Sequence, residues 1–167
     1  MGVKIKTKKN KIPEMRKNLK ALGGLKVQVG VMGEIAWLAR IHEYGCKIQV
    51  TPKMRAFLHA KGLHLKDTTE YITIPERSFL RNGYAENKDE VLDIAKSVIG
   101  DVIHGYLSID EYGNIVGDEL ASRIQDYATD LSSPANHPFT VQQKGSNNPL
   151  NDTGQMIDSI GYEVIKE

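Results

Sequence analysis

The chain has 167 residues, 40% of them hydrophobic and 26% charged, and its 22 basic and 21 acidic residues leave a net charge of +1. This length fits one domain with a real core; no apolar run nears the roughly 20 residues that span a bilayer, and no apolar segment follows the N-terminal lysines as a secretory signal requires. The single cysteine, Cys46, excludes an internal disulfide framework and points to a reducing compartment, the cytoplasm where the chain is made.

Charge is unevenly placed along the chain. Residues 1–20 hold eight basic residues and one acid, which leaves 14 basic and 20 acidic residues, a net of −6, for the other 147. A basic arm on an acidic body suits nucleic acid, the acidic body of a neighbouring copy, or plain solvent. Aromatics are nearly absent from the arm, so stacking on single-stranded bases has little support.

In chain order, Met1–Thr7 alternates Val3 and Ile5 with Lys4 and Lys6, an edge-strand pattern with lysines outward. The arm, which also carries Lys8 and Lys9, runs to about residue 12. Ile12-Pro13-Glu14 then opens a helix with Met15, Leu19 and Leu22 on one face, and Gly23-Gly24 stops it. Leu25–Met32 alternates strictly and predicts a half-buried strand. Ile35, Leu38, Ala39 and His42 recur at i, i+3, i+4 and i+7, a helix closed by Gly45. Its His42-Glu43 pair invites a metal or acid–base reading. Adjacent helical residues point about 100° apart, however, and no second His follows at i+4, so a structural or interface role is favoured. Trp37 and Tyr44 read as core or subunit contacts.

Lys47–Thr51 predicts a short strand. Pro52–Ala60 predicts a helix with Met54, Phe57 and Leu58 apolar, stopped at Gly62, and after a polar turn Tyr71–Ile74 predicts another strand. The stretch Cys46–Tyr71 thus reads as a long, basic, exposed excursion of the kind that grips a neighbour or a ligand. Its return strand runs into Ile74-Pro75-Glu76-Arg77-Ser78-Phe79-Leu80-Arg81, the octet around which the rest is organised. Pro75 suits a helix start, where its missing N–H costs nothing. Phe79 and Leu80 read as core.

From Ser78 the helical pattern is strong, with Val91, Ala95, Val98 and Val102 among its apolar positions, and it reaches as far as Tyr106. Asp110-Glu111-Tyr112-Gly113-Asn114 reads as a turn whose spacing does not match a calcium loop. A second helix follows from about Gly117 to Leu131. Residues 132–149 are rich in Ser, Pro, Asn, Gln and Gly and read as an extended loop ordered by a partner. Asp152 and Thr153 then cap a short helix, with Gln155 completing a capping box, and Gly161–Ile165 ends as a strand. The sum is one α+β domain over residues 1–167: a small mixed or antiparallel sheet packed by two long helices and several shorter ones.

Catalytic signatures do not emerge. Gly23-Gly24, Gly30 and Gly33 form no phosphate loop. There is no CxxC or His/Cys cluster to hold zinc, and the five histidines are scattered outside any triad signature. The sequence reads as a non-enzyme that needs no cofactor or metal.

Four segments in order carry a family likeness. They are Val27-Gln28-Val29-Gly30-Val31 running into Ala39-Arg40-Ile41-His42-Glu43-Tyr44-Gly45; the octet 74–81; Asn136-His137-Pro138-Phe139-Thr140; and Pro149-Leu150-Asn151-Asp152-Thr153-Gly154-Gln155-Met156 with Ser159-Ile160. Together they resemble the virion-morphogenesis, tail-completion and neck proteins (minor tail components) of tailed bacteriophages, with their "VGV…IHEFG…IPARPFLR…PLVDTGQL…SI" pattern. The likeness spans most of the chain. Tyr44 replaces the usual Phe, and Glu76 and Ser78 stand at Ala and Pro positions, which relaxes the helix entry. The resemblance implies a tail-terminator-like α+β subunit of a phage or prophage virion that closes the tail or joins it to the head. Such a subunit forms a homo-oligomeric ring with neck, connector or tail proteins as partners, first in the host cytoplasm and then in the particle, with no membrane partner. Arg77, Phe79 and Arg81 are then the expected contact residues, since Arg and aromatics anchor interfaces. The alternative is a nucleic-acid-binding module working through Lys4, Lys6, Lys8 and Lys9 of the arm.

Overall fold

A computed structural model describes residues 10–167. The expected strand over Met1–Thr7, and Lys4, Lys6, Lys8 and Lys9 with it, lie outside the described residues. The elements in order are α1 (Ile12–Gly23), β1 (Leu25–Val31), a 3-10 turn (Gly33–Ile35), α2 (Ala36–Tyr44), β2 (Cys46–Gln49), α3 (Pro52–Ala60), β3 (Tyr71–Ile74), α4 (Phe79–His104), α5 (Ile109–Asp130), α6 (Pro138–Lys144), α7 (Gln155–Asp158) and β4 (Ile160–Lys166).

The protein is α+β, and among the described residues the strands form two separate antiparallel pairs rather than one sheet. β1 pairs with β4, from Leu25 opposite Lys166 to Val31 opposite Ile160. β2 pairs with β3, from Cys46 opposite Ile74 to Gln49 opposite Tyr71. The β1–β4 pair brings the last residue beside the junction of α1 and β1, where the N–H of Glu167 donates to the Gly24 carbonyl at 3.0 Å. α4 and α5 form an antiparallel hairpin, with Gly83 against Ile124 and Tyr127, and with Arg123 of α5 paired to Glu90 of α4 and to Glu119. α5 covers the β1–β4 pair, and α1 lies along α4.

The core is where these faces meet. Phe79 and Val102 are wholly buried, and Val91, Leu120, Ile124, Ala128, Met156 and Ile160 belong with Phe79 to one cluster. Burial of a Phe or Leu side chain is worth ~2–3 kcal/mol, so the apolar stripes of α4 and α5 supply much of what holds the hairpin to the sheet.

Asp110–Asn114 is not a turn. It is the first part of α5, which starts eight residues before the position its apolar spacing suggests. Ser108 caps the helix, its hydroxyl accepting from the Glu111 N–H at 3.1 Å while Glu111 Oε2 accepts from the Ser108 N–H at 2.8 Å. Gly113 and Gly117 sit one helical turn apart and face β4. A Cβ on Gly117 would come within 2.2 Å of the Tyr162 ring, and one on Gly113 within 2.6 Å of Val164. These glycines exist for close helix–strand approach, which local patterning cannot distinguish from turn chemistry.

Two further expectations change. The 132–149 segment contains α6, and Asn148 pins it internally: the Asn148 amide donates to the Thr129 carbonyl at 2.6 Å, and its Oδ1 accepts from the N–H groups of Leu150 and Asn151. The capping box at Asp152–Gln155 does not form, because Gly154, in the left-handed region, is the N-cap of α7; of the two expected capping residues Thr153 alone reaches the helix, its hydroxyl accepting from the Gln155 N–H at 3.5 Å.

Gly117→Ala should lose ~2–4 kcal/mol in urea unfolding, since the Tyr162 ring must move off the sheet. Gly100→Ala, also within a helix but with nothing within 4 Å of the new methyl, should gain up to ~1 kcal/mol from helix propensity alone.

Candidate functional site

The octet is the junction of three parts of the fold, and Glu43 of α2 is its centre. Glu43 is only 3% exposed although charged. Its Oε2 accepts from the Leu80 N–H at 2.9 Å, and its Oε1 accepts from the Arg81 N–H at 3.2 Å and from Arg81 Nε at 2.8 Å. A side chain from one helix therefore caps the first turn of another, where free N–H groups and the helix dipole favour an anion. Ser78, the residue in the N-cap position of α4, makes no such bond itself. Its backbone is left-handed (φ 42°, ψ 38°), uncommon for a non-glycine residue, and its hydroxyl donates to Glu76 Oε1 at 2.6 Å.

This arrangement moves the helix start. Pro75 does not open α4, which begins at Phe79, four residues later. The chain uses those four residues to pass α2 and deliver the Leu80 and Arg81 N–H groups to Glu43.

Arg81 closes the lid on this cap. Its Nη2 donates to Glu76 Oε1 at 2.7 Å, to the Ser78 hydroxyl at 2.9 Å and to the Glu43 carbonyl at 3.0 Å, and its guanidinium lies over the Tyr44 ring, 4.8 Å from the centroid. Bonds to Glu43 first and Glu76 second hold its pKa above the ordinary arginine value. Glu76 is correspondingly lowered, chiefly by the Ser78 hydroxyl and then by Arg81.

Arg77 points the other way and is 5% exposed. Its N–H donates to the His42 carbonyl at 2.8 Å, Nη1 donates to His42 Nδ1 at 3.0 Å, Nη2 to Asn136 Oδ1 at 3.1 Å, and Nε to the Pro134 carbonyl at 3.1 Å. Among the described residues no carboxylate pairs with it. Burial accordingly lowers its pKa. His42 must be neutral at Nδ1 to accept, and its pKa is pushed down to about 4, first by burial and then by the charges of Arg77 and Lys144. The metal reading of His42-Glu43 thus falls to chemistry of another kind, as each side chain is committed to a different arginine. Among the described residues no group of three or more His, Cys, Asp or Glu side chains is placed to hold a metal.

Gly45 lets the two segments cross. It has φ +68° and ψ 168°, a region essentially reserved for glycine, and a Cβ there would come within 2.8 Å of both the Glu76 nitrogen and the Ile74 carbonyl oxygen. The pattern His-Glu-Tyr-Gly is thereby explained residue by residue: one arginine acceptor, one helix cap, one stacking ring, one crossing point.

Of the three residues expected at a contact surface, the structure leaves one on the surface. Phe79 is fully buried in the core and Arg77 is buried beneath the 132–136 segment, whereas Arg81 is about half exposed. Both are needed inside because Phe79 anchors α4 and Arg77 ties α2 to the segment after α5. Sequence reasoning did not find Glu43 or Asn136 as the partners of this junction. The surface that remains beside Arg81 is aromatic: Trp37 is 63% exposed and Tyr44 61%, and with Arg40, Ile41 and Cys46 they line an open, largely apolar groove. Neither aromatic belongs to the core.

No protein-family model, curated protein or solved structure matches this chain. Among the described residues no helix is long and apolar enough to cross a membrane.

Two measurements probe the junction. Glu43→Ala should cost ~2–3 kcal/mol in chemical unfolding, because two α4 N–H groups lose their acceptor and Arg81 its partner, while Glu43→Gln, which keeps one acceptor, should cost less. His42 is protonated below about pH 6.5 when unfolded and below about pH 4 when folded. Between those values the unfolded chain binds the extra proton, so stability falls as pH drops from 6.5 to 4 and this contribution is flat below it. The wild type minus His42→Gln difference should show that slope, on the order of 2 kcal/mol after solvent screening.

Proposed function

We propose that the protein is a non-enzymatic structural subunit of a tailed-bacteriophage particle, acting in tail completion or head–tail joining at the neck. One observation carries the reading: segments that resemble the phage family when taken along the sequence are joined in space at one junction. His42 of the first segment, Arg77 of the octet and Asn136 of the third are linked by direct hydrogen bonds, and Glu43 and Arg81 bind the first two again. A pattern whose distant parts serve one junction behaves as a unit, as a family motif does.

The surface supports an assembling role. Aromatic and arginine side chains are exposed together at Trp37, Arg40, Tyr44 and Arg81, the residue types that anchor protein interfaces. Partners on this reading are further copies of the chain and neck, connector or tail proteins, met in the host cytoplasm and retained in the virion. The second reading, nucleic-acid binding through the basic residues 1–20, draws on Lys11, Arg16, Lys17 and Lys20, all exposed at or on α1. It predicts binding that collapses with salt and with deletion of the arm.

The test is genetic and direct. Deleting the gene from the phage or prophage that encodes it should leave heads and tails that electron microscopy finds unjoined or tails of abnormal length, and adding the purified protein to the extract should restore joined, infective particles. Normal particles from the deletion would overturn the proposal.

A further inference from the structure

The excursion between α2 and α4 is a self-braced arm. β2 and β3 form its stem, and among the described residues no element packs extensively on α3. Arg55 turns inward to hold it together, donating to the carbonyls of Leu65 at 3.3 Å, Lys66 at 2.8 Å and Thr69 at 2.7 Å. The turn after α3 is therefore built to a definite shape although no other element among the described residues packs extensively on it. Its outer surface shows Phe57, 60% exposed, together with Ile48 and Tyr71.

The arm is also basic. Residues 46–74 contain five lysines and arginines against two acids, a net of +3. With Arg55 committed to carbonyls, Lys47, Lys53, Lys61 and Lys66 are exposed and form no ion pair among the described residues. Four cations without a carboxylate partner among the described residues, one of them, Lys61, over the ring of the exposed Phe57, make a surface that calls for an acidic partner with some apolar area.

The subunit itself carries the complement. α5 has six acids and one arginine. Where it meets α4, a shallow groove is lined by Glu86, Glu119, Arg123, Asp126, Tyr127 and Asp130. Arg123 is used up by Glu119 and Glu90, so Glu86, Asp126 and Asp130 have no basic partner among the described residues. The arm's root and this groove lie on different sides of α4. Arg81, which holds Tyr44 beside that root, and Glu86 are five residues apart on α4 and so point ~140° apart around the helix.

We infer that the arm, through α3 and its lysines, docks into the α4–α5 groove of a second copy of this chain. The contact joins two different surfaces, so each copy offers one arm and one groove. Such a head-to-tail contact propagates into a closed ring when its rotation closes. Charge of opposite sign on the two surfaces sets register and speeds encounter. The inference deepens the assembly reading given above and names its self-contact, yet it stands or falls on purified protein alone.

The experiment measures solution mass by light scattering and sedimentation, across concentration and salt, on the full chain. Wild type should associate beyond a monomer, less so as salt is raised. Lys53→Glu with Lys61→Glu should weaken association by about 10-fold or more, and Glu86→Lys with Asp126→Lys should do the same. Combining all four in one chain should restore it to within about 10-fold of wild type, since the charges are exchanged rather than lost. All these positions are exposed, and unchanged circular dichroism and unfolding midpoints confirm intact folding. A wild type that stays monomeric at several hundred micromolar overturns the inference, as does failure of the four-fold exchange to restore what each pair removed. The latter result assigns the arm to another acidic partner or the groove to the basic face of α1. Incorporation into particles, scored separately, reports on the phage reading and not on this contact.

Discussion

The structure depends on a buried carboxylate that caps a helix to which it does not belong. Glu43 leaves α2 and accepts from the first N–H groups of α4, the longest helix in the chain. A buried charge is costly unless it is paired and hydrogen-bonded, and here the helix N-terminus and Arg81 compensate it together. The cap sets the direction in which α4 departs, and α4 carries Phe79, Val91 and Val102 into the core. Everything packed on α4, from α1 to the α5 hairpin, inherits that direction.

Arg77 and His42 perform the matching task on the opposite side of the same crossing. A buried guanidinium without a carboxylate is held by two carbonyl-type oxygens and a neutral imidazole, which ties α2 and the octet to the segment that follows α5. Arg77 and Arg81 are four residues apart but serve opposite ends of the junction: one turns inward to neutral acceptors, the other outward to acids and an aromatic ring. Lysine could not replace either, since each uses the fork of a planar guanidinium to reach several acceptors at once.

Around this rigid junction the molecule divides into a compact body and a projecting excursion. The body is acidic and made of long helices over a strand pair; the excursion is basic, short in its elements and braced by its own Arg55. The aromatic groove of Trp37 and Tyr44 lies at the root between them. This division puts the exposed apolar and uncompensated charged side chains where a neighbouring molecule can reach them, and leaves the junction buried.

Much of the element list is legible from the sequence by itself. Leu25–Val31 declares a strand through strict alternation, Ile12–Gly23 and Pro52–Ala60 declare helices through proline starts and apolar spacing, and Tyr71–Ile74 is β-branched enough to stand out. These signals are local, because backbone propensity and one-sided burial act over a few residues. Tertiary structure alone decided the rest. Gly113 could be recognised as a packing glycine only once Val164, 51 residues away, lay against it. Pro75 lost the helix start to Phe79 because the cap came from Glu43 and not from a neighbour in sequence. The apparent loop after Leu131 holds a helix because its own Asn148 ties it back to Thr129 and Arg77 of the octet binds it from outside. Phe79 and Arg77 left the surface for the same reason: residue type announces that an aromatic or arginine will make strong contacts, but only the folded chain chooses whether the partner is itself or another molecule.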